Sequence, residues 1–243
     1  MNGNGNLLVI RGRGITRARW LASLCLGTIL CLAVFFGSNV IPEVVLGRSL
    51  VGTEYALVGL TQLGLVPIAV WVGLRPAGLG LRDIGLRGPR IGRDLALGFG
   101  VALGFAALQF AVLIPATGGA ERSDIALNSS QIGGTLGGVL GFVVLAWTGG
   151  LAEELLFRGH FLTTLRNALG ESGIALTVAA VVTALVFALL HGYQGWAGVV
   201  DAGLYGGVAL TALFIWTKGR LTACIVAHAG WNTLAAVGLY LWY

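Results

Sequence analysis

Long apolar runs separated by short polar segments set the pattern of this chain. Seven stretches, about 18–38, 51–74, 95–117, 135–157, 173–191, 198–217 and 221–242, approach the roughly 20 apolar residues that a bilayer-spanning helix needs. The pattern predicts an all-α, polytopic transmembrane helix bundle of about seven to eight spans. The first run follows Arg11, Arg13, Arg17 and Arg19, a layout shared with secretory signals. It ends without a small-x-small cleavage site and is followed by further spans, so it reads as the first transmembrane helix.

Composition agrees with this. Of 243 residues, 56% are hydrophobic and 10% charged, against roughly 25% charged in soluble domains; mean hydropathy is +0.88. The net charge of +5 raises the question of nucleic acid, but the basic residues lie between the apolar runs rather than in one patch. They report orientation instead. With the N-terminus cytoplasmic and the sides alternating, 13 of the 15 basic residues fall inside and only Arg48 and Arg122 outside. The positive-inside rule therefore places the N-terminus in the cytoplasm. The expected location is a prokaryotic cytoplasmic membrane, with the bilayer as the main partner and no nucleic acid.

Three regions follow: a polar cytoplasmic tail over 1–17, scaffold helices over 18–134 with a cytoplasmic loop at 75–94, and a catalytic helical core over 135–243. All five prolines lie in the first 130 residues and all three histidines beyond residue 150. Gly100/Gly104, Gly133/Gly137 and Gly134/Gly138 have the spacing that lets helices approach closely, which chance also supplies among 40 glycines. Cys25, Cys31 and Cys224 show no metal or disulfide logic and read as packing residues. Glu54 reads as a structural acid within an early span, and Asp201 as a helix N-cap.

The chemistry lies in three patterns of i,i+4 spacing: Glu153-Glu154 with Arg158, Phe187 with His191, and His228 with Asn232. A charged group at the bilayer centre costs about 2.5–3.5 kcal/mol on insertion scales, so such residues mark functional sites. Glu154 and Arg158 share a helix face and can pair. Glu153 points about 100° away, free to face a cavity. A turn near 170–173 leaves Glu153 and His191 each about 19 residues from its centre. They reach one depth provided that the fourth helix continues through His160, Arg166 and Asn167. His228 lies about 12 Å beyond a second turn at 218–220. A glutamate and two histidines on three packed helices suit activation of water, the histidines ligating a metal or stabilising charge. Asn232 can donate to an oxyanion. His160 lies outside the pattern and reads as a packing histidine. The chain contains no HExxH and no Gly-x-Ser-x-Gly.

LAEELLFRG with Glu153, Glu154 and Arg158, FALLH ending at His191, and AHAGWN with His228 and Asn232 resemble, in order and spacing, the three motifs of the CPBP family. These are the CAAX prenyl proteases and bacteriocin-processing (Abi) membrane proteases. The likeness covers about 135–240. It implies an intramembrane endopeptidase in which Glu153 is the general base, His191 its partner in holding water or metal, His228 and Asn232 the oxyanion stabilisers, and Glu154 and Arg158 the supporting pair. Cofactor use stays open between one zinc ion, held by Glu153, His191 and His228, and none. The implied substrate is a peptide or membrane-protein tail, prenylated or a leader peptide. Two other classes fit a buried polar cluster: a proton-coupled transporter, which the absence of an inverted repeat disfavours, and a non-proteolytic immunity or partner-binding protein.

Overall fold

The computed structural model describes residues 8–10, 14–88 and 90–243; Arg11 and Arg13 of the orientation count, and most of the N-terminal tail, lie outside the described residues. The described chain is all-helical, without strands. Seven helices are long and apolar enough to cross a membrane: α1 Arg17–Leu46, α2 Gly52–Ala77, α3 Ile91–Ala116, α5 Leu136–Leu169, α6 Gly173–Leu190, α7 Gly192–Trp216 and α8 Leu221–Trp242. A shorter helix, α4 Ser123–Ile132, lies between α3 and α5.

Local chemistry starts these helices. Thr16, Thr135 and Ser172 each turn a side-chain oxygen onto a backbone N–H of the first turn, capping α1, α5 and α6, which satisfies donors that helix geometry leaves unpaired. Gly47 closes α1 in the left-handed conformation. Outward faces carry bare apolar side chains such as Phe36, Ile41 and Ile174, unsuited to water over such an area but suited to lipid.

Within the bundle α8 packs on α3 and α5, and α2 on α1 and α5. Helices come close where a side chain is missing. A Cβ on Gly73 would stand 2.3 Å from Cα of Gly27, so α1 and α2 cross almost backbone to backbone. The regularly spaced Gly100/Gly104 pair, by contrast, has open space beside it, and Gly133 and Gly134 serve a turn with positive φ. Close packing in lipid needs small residues on two facing helices, which spacing within one helix does not reveal.

The loop over 75–94 is folded onto the bundle. Ala77, Leu79 and Ile84 are buried in its core, and the Gly85 carbonyl accepts from the Leu221 N–H at 3.0 Å. Glu54 sits at the start of α2 rather than deep within it, paired with Arg48 and accepting the Val51 N–H at 2.9 Å. Asp201 is not an N-cap: it lies inside α7, paired with Arg122 and accepting from Gln109 Nε2 at 2.7 Å. Cys31 and Cys224 are buried free thiols, and Cys25 is exposed on α1.

Candidate active site

Helix α5 continues unbroken past the apolar run to Leu169, as the depth argument requires, and overshoots the 18-residue α6. Its middle opens into a π-helical stretch, Leu155–Leu162, that begins directly after Glu154. A second π stretch in α7, Gly203–Ala209, carries Tyr205 and Gly206. Such widened turns shift the register of side chains and frequently occur at functional sites.

Glu154 is fully buried, and one oxygen, Oε1, accepts from Arg158 Nη1 at 2.7 Å and from His228 Nδ1 at 2.8 Å. A carboxylate in this setting only accepts, so His228 carries a proton on Nδ1 and presents Nε2 away from Glu154. On that other side stands Glu153, its Oε2 3.9 Å from His228 Nε2, beyond hydrogen-bond length. The Glu153 side chain is 26% exposed where Glu154 is 0% exposed. Adjacent carboxylates thus occupy different environments, one fixed by two donors and one open.

His191 caps the end of α6, and its Nδ1 donates to the Phe187 carbonyl at 2.8 Å. A carbonyl has no proton to give, so Nε2 of His191 is left with the lone pair of the neutral ring. The Phe187 ring joins the motifs: its centroid lies 4.7 Å from the His191 ring, 6.1 Å from the His228 ring and 4.8 Å from Arg158 Cζ. Gly206 makes room for it, since a Cβ there would stand 2.1 Å from Phe187 Cε1. Tyr205, on the same π stretch, donates to the Ala227 carbonyl at 2.7 Å and stacks on Phe105, fixing α7 against α8 one residue before His228.

Glu154, Arg158 and His228 are therefore in direct contact, Glu153 stands just outside, and His191 joins through Phe187. Asn232 lies half-buried one turn beyond His228, without a hydrogen-bond partner among the described residues. Several buried polar atoms here are also unpartnered: Glu153 Oε2, Glu154 Oε2, and Nε and Nη2 of Arg158. Unpartnered buried polar atoms also occur elsewhere in the bundle, at Thr28, Ser129 and Thr211 among others, but here four are concentrated on three adjoining side chains. Among the described residues no three His, Cys, Asp or Glu side chains are gathered as a metal-ligand set; Glu153, His191 and His228 do not form one, and Oε1 of Glu154 is already committed to two donors. His160 sits elsewhere, fully buried with Nε2 donating to the Ser23 carbonyl at 3.1 Å, a packing histidine.

Sequence reasoning missed Phe187 as the hub, and it missed the bond between Glu154 and His228. The i,i+4 spacing of Phe187 and His191 pointed toward the first. Nothing local signals the second, whose partners are 74 residues apart.

Residues 135–234 match the family model of type II CAAX prenyl endopeptidases, Rce1-like, a match consistent with the CPBP family. It takes in every motif residue above and covers less than half of the chain. No curated protein and no solved structure matches the chain. With its seven apolar helices and this match, the chain is an integral membrane protein, similar at the family level to CAAX-protease-like intramembrane peptidases.

Proposed function

We propose, from the match of residues 135–234 to type II CAAX prenyl endopeptidases, that this protein hydrolyses a peptide bond within the membrane, with Glu153 as the general base. The observation that carries this reading is the division of labour between the two adjacent glutamates. Glu154 is fully buried with Oε1 held by Arg158 and His228, whereas the partly exposed Glu153 has neither donor and turns Oε2 toward the other nitrogen of the same histidine.

In this mechanism Glu153 takes a proton from water as the oxygen attacks the scissile carbonyl, then gives it to the amide nitrogen as the C–N bond breaks and the amine leaves. His191 offers Nε2 as acceptor to the same water, its Nδ1 being tied to Phe187. His228, oriented by Glu154 at Nδ1, acts in its doubly protonated form and donates from Nε2, with Asn232, to the negative oxygen that develops. Arg158 neutralises Glu154 and holds it as an orienting group. The chemistry uses only these side chains, and the substrate is a lipid-modified or membrane-embedded peptide tail or leader.

The test is cleavage of a prenylated CAAX peptide by purified full-length protein in detergent or liposomes, read by mass spectrometry. A defined C-terminal fragment, lost with Glu153→Gln, supports the reading. Failure to cleave prenylated, unmodified and leader-type peptides alike, by folded protein, sinks it.

A further inference from the structure

Two adjoining cavities open at the far end of α7 from His191, where the start of α3 meets the turn between α7 and α8. One, of about 220 Å³, is lined by Arg90, Arg93, Lys218 and Arg220, with Leu97 and Trp216 as its apolar wall. The other, of about 320 Å³, shares three of these cations and adds Arg87. Neither lining contains an acidic side chain.

The cations are gathered by the fold. Arg220 forms two 2.7 Å bonds to the fully buried Asp94, and this carboxylate holds its pKa above the ordinary value. Arg87 Nη2 reaches the Lys218 carbonyl at 3.4 Å, fastening the loop before α3 to the α7–α8 turn. Lys218 itself has φ +57°, a conformation that costs a non-glycine residue energy and persists only when the surroundings enforce it. Asp94 is already taken by Arg220. Arg90, Arg93 and Lys218 are exposed and have no acidic partner among the described residues.

Lys218 suits the negative end of α7, but Arg90 and Arg93 stand at the start of α3, where the one first-turn acid, Asp94, is engaged by Arg220. The start of α3 is the positive end of its dipole, where anions stabilise and cations do not. Free N–H groups of a first helical turn are also natural anion ligands. Three span ends meet here, so the cleft lies at a membrane surface. Trp216 is 63% exposed at its edge, as aromatic side chains are at the headgroup level.

We propose that this cleft binds the phosphate of an anionic phospholipid, with Arg90, Arg93, Lys218 and Arg220 on the headgroup and Trp216 and Leu97 against the glycerol and upper acyl chain. Inorganic phosphate shares the charge chemistry but makes no use of the apolar wall. The site is independent of the peptidase reading.

The test uses full-length protein in a neutral detergent, with native mass spectrometry and thermal melting in the presence of phosphatidylglycerol, phosphatidylcholine or inorganic phosphate. Phosphatidylglycerol should be retained over phosphatidylcholine. The preference should fall about fivefold for each cation removed, and so be nearly lost in Arg90→Gln/Arg93→Gln/Lys218→Gln. Trp216→Ala should weaken phosphatidylglycerol retention as well. Lys218→Gln alone gives about one such step and serves if the triple variant fails to fold. Equal retention of the two lipids, or an unchanged preference in a folded variant, overturns the proposal. So does inorganic phosphate that protects as well as phosphatidylglycerol with Trp216→Ala silent, which assigns the cleft to a free anion.

Discussion

Oε1 of Glu154 lies 2.8 Å from Nδ1 of His228, tying α5 to α8 at the centre of the bundle. The same oxygen holds Arg158 at 2.7 Å. One buried acid therefore fixes a guanidinium on its own helix and an imidazole on another, and it leaves the neighbouring Glu153 as the more exposed carboxylate.

Glu153→Gln is expected to abolish proteolysis while leaving the melting temperature within a few degrees of wild type, since Glu153 makes no hydrogen bond at Oε2 to lose. Glu154→Gln should lower both, because a neutral amide leaves the buried Arg158 guanidinium without its counter-charge. Parallel melting curves and peptide-cleavage rates for the two variants check this. Activity retained in Glu153→Gln rules it out as the base.

Arg158→Ala should destabilise by about 3–5 kcal/mol, the range for removing one partner of a buried ion pair. Arg158 is fully buried, and the Glu154 charge would lose one of its two donors. Thermal or denaturant unfolding in detergent measures it. A loss below about 1 kcal/mol, the exposed-pair range, contradicts the burial.

Gly206→Ala should reduce activity more than Phe187→Leu does. The new methyl would stand 2.1 Å from the Phe187 ring, pushing it toward His191, His228 and Arg158, with an overpacking cost of about 1–3 kcal/mol. The double variant Gly206→Ala/Phe187→Leu should recover part of the loss. Cleavage rates of all three variants decide the point, and additive defects would exclude the ring as the route.

With the N-terminus cytoplasmic, a cysteine at Arg82 should be labelled only from the cytoplasmic side and one at Glu121 only from the other. Both positions are exposed, whereas the neighbouring Arg122 is locked to Asp124 and Asp201 and is unsuited to labelling. The experiment needs a background free of Cys25, Cys31 and Cys224. The reverse labelling pattern would invert the topology and move the basic cleft to the other membrane face.

Cleavage should survive chelation, since Glu153, His191 and His228 are not gathered as a ligand set. Metal analysis beside activity measurements tests this. One zinc per chain, with activity lost on chelation and restored by zinc, would overturn it.

Hydropathy made the seven spans and the all-helical architecture legible, because twenty apolar residues in lipid have few alternatives to a helix. The Glu154–Arg158 contact was legible for a similar reason, four residues being one turn. What stayed hidden joins residues far apart in sequence. Asp94 and Arg220 are 126 positions apart, and Arg122 and Asp201 are 79. Glycine spacing within a helix was uninformative, since the close approach of Gly27 to Gly73 involves two helices. The depth of Asp201 and Glu54 could not be read either, because a lone acid in an apolar run gives no sign of which cation reaches it.

The crossing of α1 over α2 bears on where this protein can be cut. His160 of α5 leans on the Ser23 carbonyl, and a methyl on Gly27 would stand 2.3 Å from its Nε2; Ser23 in turn bonds the Gly73 carbonyl at 2.7 Å. The segment that matches the peptidase family is thus walled by helices lying outside the match. A chain trimmed to that segment would leave the imidazole of His160 facing acyl chains with its backbone acceptor gone. A smaller version that keeps the first two helices is therefore expected to fold better than one trimmed to the matched segment.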